Sequence, residues 1–244
     1  MKIKFLGTSH GVPEADRMWT SVMISVGENT YLIDAGCFCA DGIIRSGRTL
    51  DSLKAVFITH QHGDHMNGLV SLVDIISWYY KKSDPEIFLP STGIAEKLRD
   101  VVNYGSFDGE NLRDIRYSVT KPGVIYDDGV LKVTAFPTKH IQNGAHPSFA
   151  YLCEAEGKRV LFTGDLNRNC LDMPEIAFTD ELDLTVIEAA HFRLTERENV
   201  FRRVKTKRMV VGHFSPINDD HVWQFIFDMP FDTFISADGM EFEL

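Results

Sequence analysis

Residues 59–65, Thr59-His60-Gln61-His62-Gly63-Asp64-His65, carry three histidines and one aspartate within the span 60–65. Imidazole nitrogen and carboxylate oxygen are donors that zinc, manganese and iron accept. Packing alone has no use for four such groups so close together. The apolar run before them, Ala55-Val56-Phe57-Ile58, reads as a buried strand. The four groups therefore follow a strand's carboxyl end, where open α/β sheets place their sites. His60 and His62, two apart on extended chain, point to the same side. Asp64 and His65 open a helical pattern of Leu69, Leu72, Val73 and Ile76. The positive end of that helix favours Asp64 as the anion. One metal would be crowded by all four groups, whereas two metals about 4 Å apart would use them all.

The chain has 244 residues and 44% apolar content, which suits one α/β domain over residues 1–244 with a sizeable core. No apolar run approaches the roughly 20 residues that span a bilayer. Met1-Lys2-Ile3-Lys4-Phe5-Leu6 begins a strand directly and lacks the apolar stretch of a secretory leader. The expected location is cytoplasmic. Cys37, Cys39, Cys153 and Cys170 are too few and scattered for a disulfide framework and read as reduced structural thiols.

The net charge of −10 argues against a large basic surface for nucleic acid. It leaves room for small anionic substrates, because bound cations can dominate the local field. One basic run, Arg202 to Arg208, reads as a solvated helix end, with phosphate steering as the alternative.

Strands are expected at Lys2–Leu6, Ser21–Val26, Thr30–Asp34, Ala55–Thr59, Glu86–Leu89, Ile115–Ser118, Val130–Phe136, Ser148–Glu154, Arg159–Thr163, Asp183–Ile187, Met209–Gly212, Phe231–Ile235 and Met240–Leu244. Helices are expected at Asp41–Leu50, Met66–Tyr80, Thr92–Val102, Thr195–Lys205 and Ile217–Phe227, the last capped near Asn218 or Asp219. Periodicity alone stops at α/β or α+β. His221, inside the last helix, reads as a surface residue. Trp78-Tyr79-Tyr80 reads as core or subunit interface.

His60-x-His62-x-Asp64-His65 resembles the HxHxDH signature of the metallo-β-lactamase superfamily. Gly7-Thr8-Ser9-His10-Gly11-Val12-Pro13, followed by Arg17, resembles the opening of the ribonuclease Z and phosphodiesterase branch. Leu32-Ile33-Asp34-Ala35-Gly36, Phe162-Thr163-Gly164-Asp165 and Gly212-His213-Phe214-Ser215 resemble further segments in the family's order. The resemblance covers nearly the whole chain. It implies a four-layer αββα sandwich, with two mixed sheets between outer helices and a metal site at one edge.

The resemblance also implies the ligands. His60, His62 and His140 would hold one divalent ion, Asp64, His65 and His213 the other, and Asp165 would bridge. His146 lies in the same loop as His140 and competes with it. His140 is preferred because it begins the loop, while His146 sits in a local insertion before Pro147. Asp34 is the expected orienting partner of a ligand imidazole. His10 could approach a substrate phosphate. His191, after Glu188-Ala189-Ala190, could protonate a leaving group, although the branch's spacing there is only partly reproduced.

The implied chemistry is hydrolysis by a hydroxide between two ions, with zinc or manganese first and iron open. Asp64, Asp165 and His191 are the catalytic candidates. A small phosphodiester such as a cyclic nucleotide is the first substrate choice. The alternatives are a carboxyl ester, thioester or lactone, tRNA 3′-end processing, and a non-hydrolytic metal-binding module. The acidic balance, and the lack of a long Gly/Pro-rich arm, weigh against a large RNA. Relatives in this branch often dimerise, so a homodimer stays open.

Overall fold

The computed structural model describes residues 1–80, 82–104, 115–141, 146–214 and 219–244. Ser215 and the expected cap at Asn218 lie outside these residues. In chain order the first half supplies β1 (Lys2–Gly7), β2 (Ser21–Val26), β3 (Asn29–Ile33), α1 (Cys39–Arg45) and β4 (Leu53–Phe57). It continues with α2 (Gly63–Met66), α3 (Gly68–Tyr79), β5 (Glu86–Leu89), α4 (Thr92–Tyr104) and β6 (Arg116–Val119). The second half supplies β7 (Gly123–Asp127), β8 (Lys132–Thr138), β9 (Ser148–Ala155), β10 (Lys158–Phe162), α5 (Ile176–Thr179) and β11 (Leu184–Glu188). It ends with α6 (Leu194–Phe201), β12 (Arg208–Gly212), α7 (Asp219–Asp228), β13 (Asp232–Ile235) and β14 (Glu241–Glu243).

Two mixed seven-stranded sheets result, ordered β14-β1-β2-β3-β4-β5-β6 and β13-β12-β11-β10-β9-β8-β7. Three apolar clusters explain the layering. Ile3, Phe5, Ile24, Tyr31 and Phe57 of the first sheet meet Val133, Tyr151, Val160, Phe162 and Val210 of the second. The first sheet's other face, with Leu32, Val56 and Ile87, packs on Ile43, Leu69, Val73 and Leu98 of its helices. The second sheet's outer face, with Leu161, Ile187 and Val211, packs on Ala177, Phe201 and Phe225. Strands buried on both faces lose the usual alternation, and all six residues of β2 are buried. The expected four-layer αββα sandwich is therefore the fold.

Three departures from the sequence reading have local causes. The helix after the histidine motif starts earlier, at Gly63, and breaks at Asn67. The Gly68 N–H leaves the helix pattern to donate to Ala35 O at 2.8 Å. A Cβ there would lie 1.8 Å from Cys37 O, so only glycine allows that contact. The helix expected over Asp41–Leu50 stops at Arg45, just before Gly47 at φ +76. The edge strand β7 was not anticipated. Its residues are largely exposed and it pairs only with β8, so it carries little hydrophobic pattern.

His221 is a correction. It is buried, and its Nδ1 accepts from the Leu194 N–H at 3.1 Å, satisfying a donor at the start of α6. Tyr79 is also not core, being 79% exposed, while Tyr80 packs partly against the helices. The basic run lies at the start of β12, the end opposite His213. Lys207 there pairs with Asp183 and Glu181, and Arg203 lies over Phe178. That placement favours the solvated-end reading over phosphate steering. The four cysteines are free and buried. Among the described residues no helix is long and apolar enough to cross a membrane.

Candidate metal centre

The site forms where strands of both sheets end. His10 follows β1, Asp34 follows β3 and His60 follows β4. His140, Asp165, His191 and His213 follow β8, β10, β11 and β12. β3 and β4 are parallel neighbours, as are β10, β11 and β12. Their carboxyl ends therefore deliver side chains to one edge of the sandwich. Gly164 takes φ +57, and a Cβ there would lie 2.9 Å from Phe149 O and 3.1 Å from the Thr59 side chain. This close approach lets Asp165 reach between the two sheets.

Two donor sets converge on Asp165. His60 Nε2 lies 2.9 Å from His62 Nδ1, and His140 Nε2 lies 3.3 Å from the same atom. Asp165 Oδ2 is 3.6 Å from His60 Nε2 and 3.5 Å from His140 Nε2. The other oxygen, Oδ1, is 3.5 Å from His65 Nε2 and 3.4 Å from His213 Nε2. Asp64 Oδ2 stands 3.7 Å from both His65 Nε2 and His213 Nε2. Within each set the donor atoms lie within 4.8 Å of one another, as metal ligands must.

Buried atoms without partners test the fit of a cation. His65 Nε2 and Asp165 Oδ1 are both buried and lack hydrogen bonds. Unpartnered buried polar groups are rare, and nitrogen with carboxylate oxygen is a fitting donor set for a divalent ion. Electrostatics agree. Burial holds His60 well below the ordinary histidine pKa and lowers His62 and His140 too, leaving neutral lone pairs. Burial works against the Asp165 anion, but His213, His65 and His60 prevail and hold its pKa well down. Burial also opposes charge on His65, yet Asp165 and Asp34 hold its pKa well up. A proton on His65 thus sits where a cation would serve the same carboxylates.

The surrounding shell fixes each imidazole. Asp34 takes φ 58 at the end of β3. Its carboxylate accepts the Thr59 N–H at 2.7 Å and the Thr59 hydroxyl at 2.9 Å. His65 Nδ1 donates to the same carboxylate at 2.8 Å, which turns Nε2 inward. His60 Nδ1 lies 3.1 Å from the Thr59 hydroxyl. His213, at φ 45, places Nδ1 2.8 Å from Thr20 Oγ1 and 3.2 Å from Ser9 O. Thr59 and Thr20 were not anticipated. Adjacency to His60 hints at the first, but nothing in the sequence marks the second.

Asp34→Asn should weaken metal binding about 10–100-fold, since the amide would turn a donor toward Thr59 N–H or His65 Nδ1–H. Competition with a chromophoric chelator measures this. Unchanged affinity would contradict the orienting role.

His191 joins the cluster with a buried partner, Glu188. Its Nδ1 lies 2.8 Å from Glu188 Oε2 and 3.6 Å from Asp165 Oδ2. Glu188 also accepts the backbone N–H groups of Leu166, Ala190 and His191. Burial lowers the His191 pKa, but the bond and charge of Glu188 outweigh it and raise it to about 9. A raised histidine pKa stabilises the fold fully below the ordinary value of 6.5, and the contribution fades as pH rises through about 9. In chelator-treated protein, the urea-stability gap between wild type and His191→Gln should therefore shrink from pH 6 to pH 10. A constant gap would refute the Glu188 partnership.

The structure separates the two loop histidines. His140 enters the cluster, whereas His146 is exposed and belongs to none of the donor sets among the described residues. His10 turns its Nδ1 toward Glu14 Oε1 at 3.3 Å. Its neighbour Gly11 approaches Asp64, because a Cβ there would sit 3.2 Å from Asp64 Oδ2.

The fold is that of the metallo-β-lactamase sandwich, and the order of these segments is similar to that of its ribonuclease Z and phosphodiesterase branch. Ribonuclease Z of Picosynechococcus is 34% identical over 143 residues, 57% of this chain and 44% of that protein. The chain spans about half the length of such ribonuclease Z relatives, 44 to 46%. Ribonuclease Z of Archaeoglobus fulgidus is 25% identical over 270 residues, covering 88% of this chain and 87% of its own. The crystal structure of human tRNase Z, short form, superposes with a TM-score of 0.74 at 20% identity, covering 100% of this chain and 99% of its own. The family profile described as anti-Pycsar protein Apyc1 matches residues 1–224, and the chain belongs to that family.

Proposed function

We propose that this chain is a dinuclear metal-dependent phosphodiesterase acting on a small phosphodiester, with a cyclic nucleotide as the first choice. The carrying observation is Asp165, whose two oxygens face separate donor sets at 3.4 to 3.6 Å. His60, His62 and His140 would hold one ion, Asp64, His65 and His213 the other, and Asp165 both. Zinc or manganese suits these donors, and iron does too. Bound ions there supply a Lewis acid for a phosphoryl oxygen and lower the pKa of water to about 7.

The chain's own groups do the rest. Asp64 and Asp165 would accept hydrogen bonds from an attacking water. Asp34, Thr59 and Thr20 hold the imidazoles in position. His191, its proton secured by Glu188, stands where it can donate to a leaving oxygen. His10, whose Nδ1 turns toward Glu14 Oε1 at 3.3 Å, would approach a substrate phosphate from the loop after β1. The ribonuclease Z relatives support a phosphodiester as the scissile bond. They also keep RNA as a second reading, which the net charge of −10 disfavours for a long strand. The description anti-Pycsar names what the family opposes and no substrate.

The test compares bis(p-nitrophenyl) phosphate with a p-nitrophenyl ester and a thioester, after loading with zinc or manganese. Faster turnover of the phosphodiester is expected. Turnover of the ester alone would transfer the site to carboxyl chemistry.

A further inference from the structure

His140 lacks the support that most imidazoles of the centre have. His60, His65, His191 and His213 each keep one ring nitrogen beside a fixed partner, namely Thr59, Asp34, Glu188 and Thr20. Among the described residues the His140 ring makes its hydrogen-bond contact through Nε2, toward His62, and no partner fixes Nδ1. Its place is therefore set by the backbone. That backbone has just left the sheet, since the β8–β9 ladder ends at the pair Thr138–Ser148 and Lys139 follows. An N–H beyond the end of a ladder needs another acceptor. The Lys139 N–H donates to Asp172 Oδ2 at 2.6 Å.

Asp172 is buried in the loop between β10 and α5. The same carboxylate accepts the Asn167 N–H, at 3.0 Å to each oxygen. Asn167 stands two residues after Asp165, and between them the Leu166 N–H donates to Glu188 Oε1 at 2.8 Å. Two buried carboxylates thus hold the Asp165 segment, and Asp172 reaches across to the His140 loop as well. The loop that carries Asp172 is itself anchored. Leu166, Cys170 and Met173 pack into the core on the outer face of the second sheet. Asn167 Oδ1 accepts the Asn169 and Leu171 N–H groups at 2.9 and 3.3 Å, and Arg197 Nε of α6 donates to Arg168 O at 2.9 Å. A buried carboxylate is costly unless hydrogen bonds meet it, so Asp172 and its two N–H donors hold one another in place.

We propose that Asp172 is a positioning residue, a clamp that holds the His140 loop against the Asp165 segment so that both reach the ion of His60 and His62. The inference rests on the two-ion reading of the centre and not on the substrate. His140 Nε2 and Asp165 Oδ2 lie 3.5 Å apart. They come from β8 and β10, which β9 separates in the sheet, so no ladder joins the two segments directly. Asp172 Oδ2 does join them, taking one N–H from each. Its loss frees the His140 end. It leaves the set of Asp64, His65 and His213 with its own supports, Asp34 and Thr20.

The clamp is tested on zinc binding, not on turnover. Chelator-treated wild type, Asp172→Ala and Asp172→Asn, with isotope-labelled histidine, are titrated with buffered zinc while the imidazole signals are followed by NMR. In Asp172→Ala the His60, His62 and His140 signals are expected to need about 10–100-fold more free zinc than in wild type, the loss typical of an outer support. The His65 and His213 signals should respond as in wild type. Asp172→Asn keeps the shape and one acceptor oxygen, so it should fold and recover most of the loss. In the metal-free protein the Lys139 amide should exchange with solvent faster in Asp172→Ala than in wild type. Equal zinc loss in both histidine sets would make Asp172 a general support and overturn the proposal. Wild-type zinc response of both sets, or an unchanged Lys139 amide, would overturn it too. Wild type that binds a single zinc would instead remove the two-ion reading, and the Lys139 amide with the zinc response of His140 would still decide the clamp.

Discussion

Asp165→Ala is expected to lower turnover of bis(p-nitrophenyl) phosphate by about a thousandfold or more and to reduce bound metal from two ions to one or none. The magnitude follows from the several kcal/mol of transition-state stabilisation that metal ions supply, at about 1.4 kcal/mol for each tenfold. Among the described residues Asp165 is the carboxylate whose two oxygens face both donor sets, so alanine would remove a ligand from each. It also removes the counter-charge that holds the His65 pKa up. Elemental analysis beside the kinetic assay checks both effects. A variant that keeps two ions, or turns over within tenfold of wild type, would refute a bridging role.

Gly36→Ala should be the most damaging single methyl group near the site. Its Cβ would sit 1.8 Å from Asp64 O, 2.6 Å from Asp64 C and 2.9 Å from Thr20 O. All three are backbone atoms that no rotamer change can move. The Gly36 N–H already donates to Thr20 O at 3.0 Å, and the neighbouring Ala35 N–H donates to His65 O at 2.7 Å. Relief of the clash must therefore displace the segment carrying Asp64 and His65, or Thr20, which supports His213. The expected cost exceeds about 4 kcal/mol, the range of severe core disruption. That is a large share of a typical stability of about 5–15 kcal/mol. Urea unfolding of metal-free protein measures it. A wild-type midpoint would contradict the packing described here.

Legibility in the sequence followed distance along the chain. His60, His62, Asp64 and His65 announce themselves because their chemistry is concentrated in six positions. Asp34, Asp165 and His213 each stand at the end of an apolar strand, and the family resemblance supplied their order. Contacts made at long range left no such mark. Thr20 meets His213 across 193 positions and His221 meets Leu194 across 27, so neither partner can be read from its neighbours. His140 and His146 share one loop and the sequence favours His140 only by its place there; among the described residues His140 is the one that joins a donor set. The break between α2 and α3 was hidden because its cause is the carbonyl of Cys37, packed against Gly68 from another segment.

The central claim is a two-metal centre that cleaves phosphodiesters. Its most direct test is a titration of chelator-treated protein with manganese while bis(p-nitrophenyl) phosphate hydrolysis is followed. The rate should climb to a plateau at two equivalents. A plateau at one equivalent, or no hydrolysis with two ions bound, would contradict it.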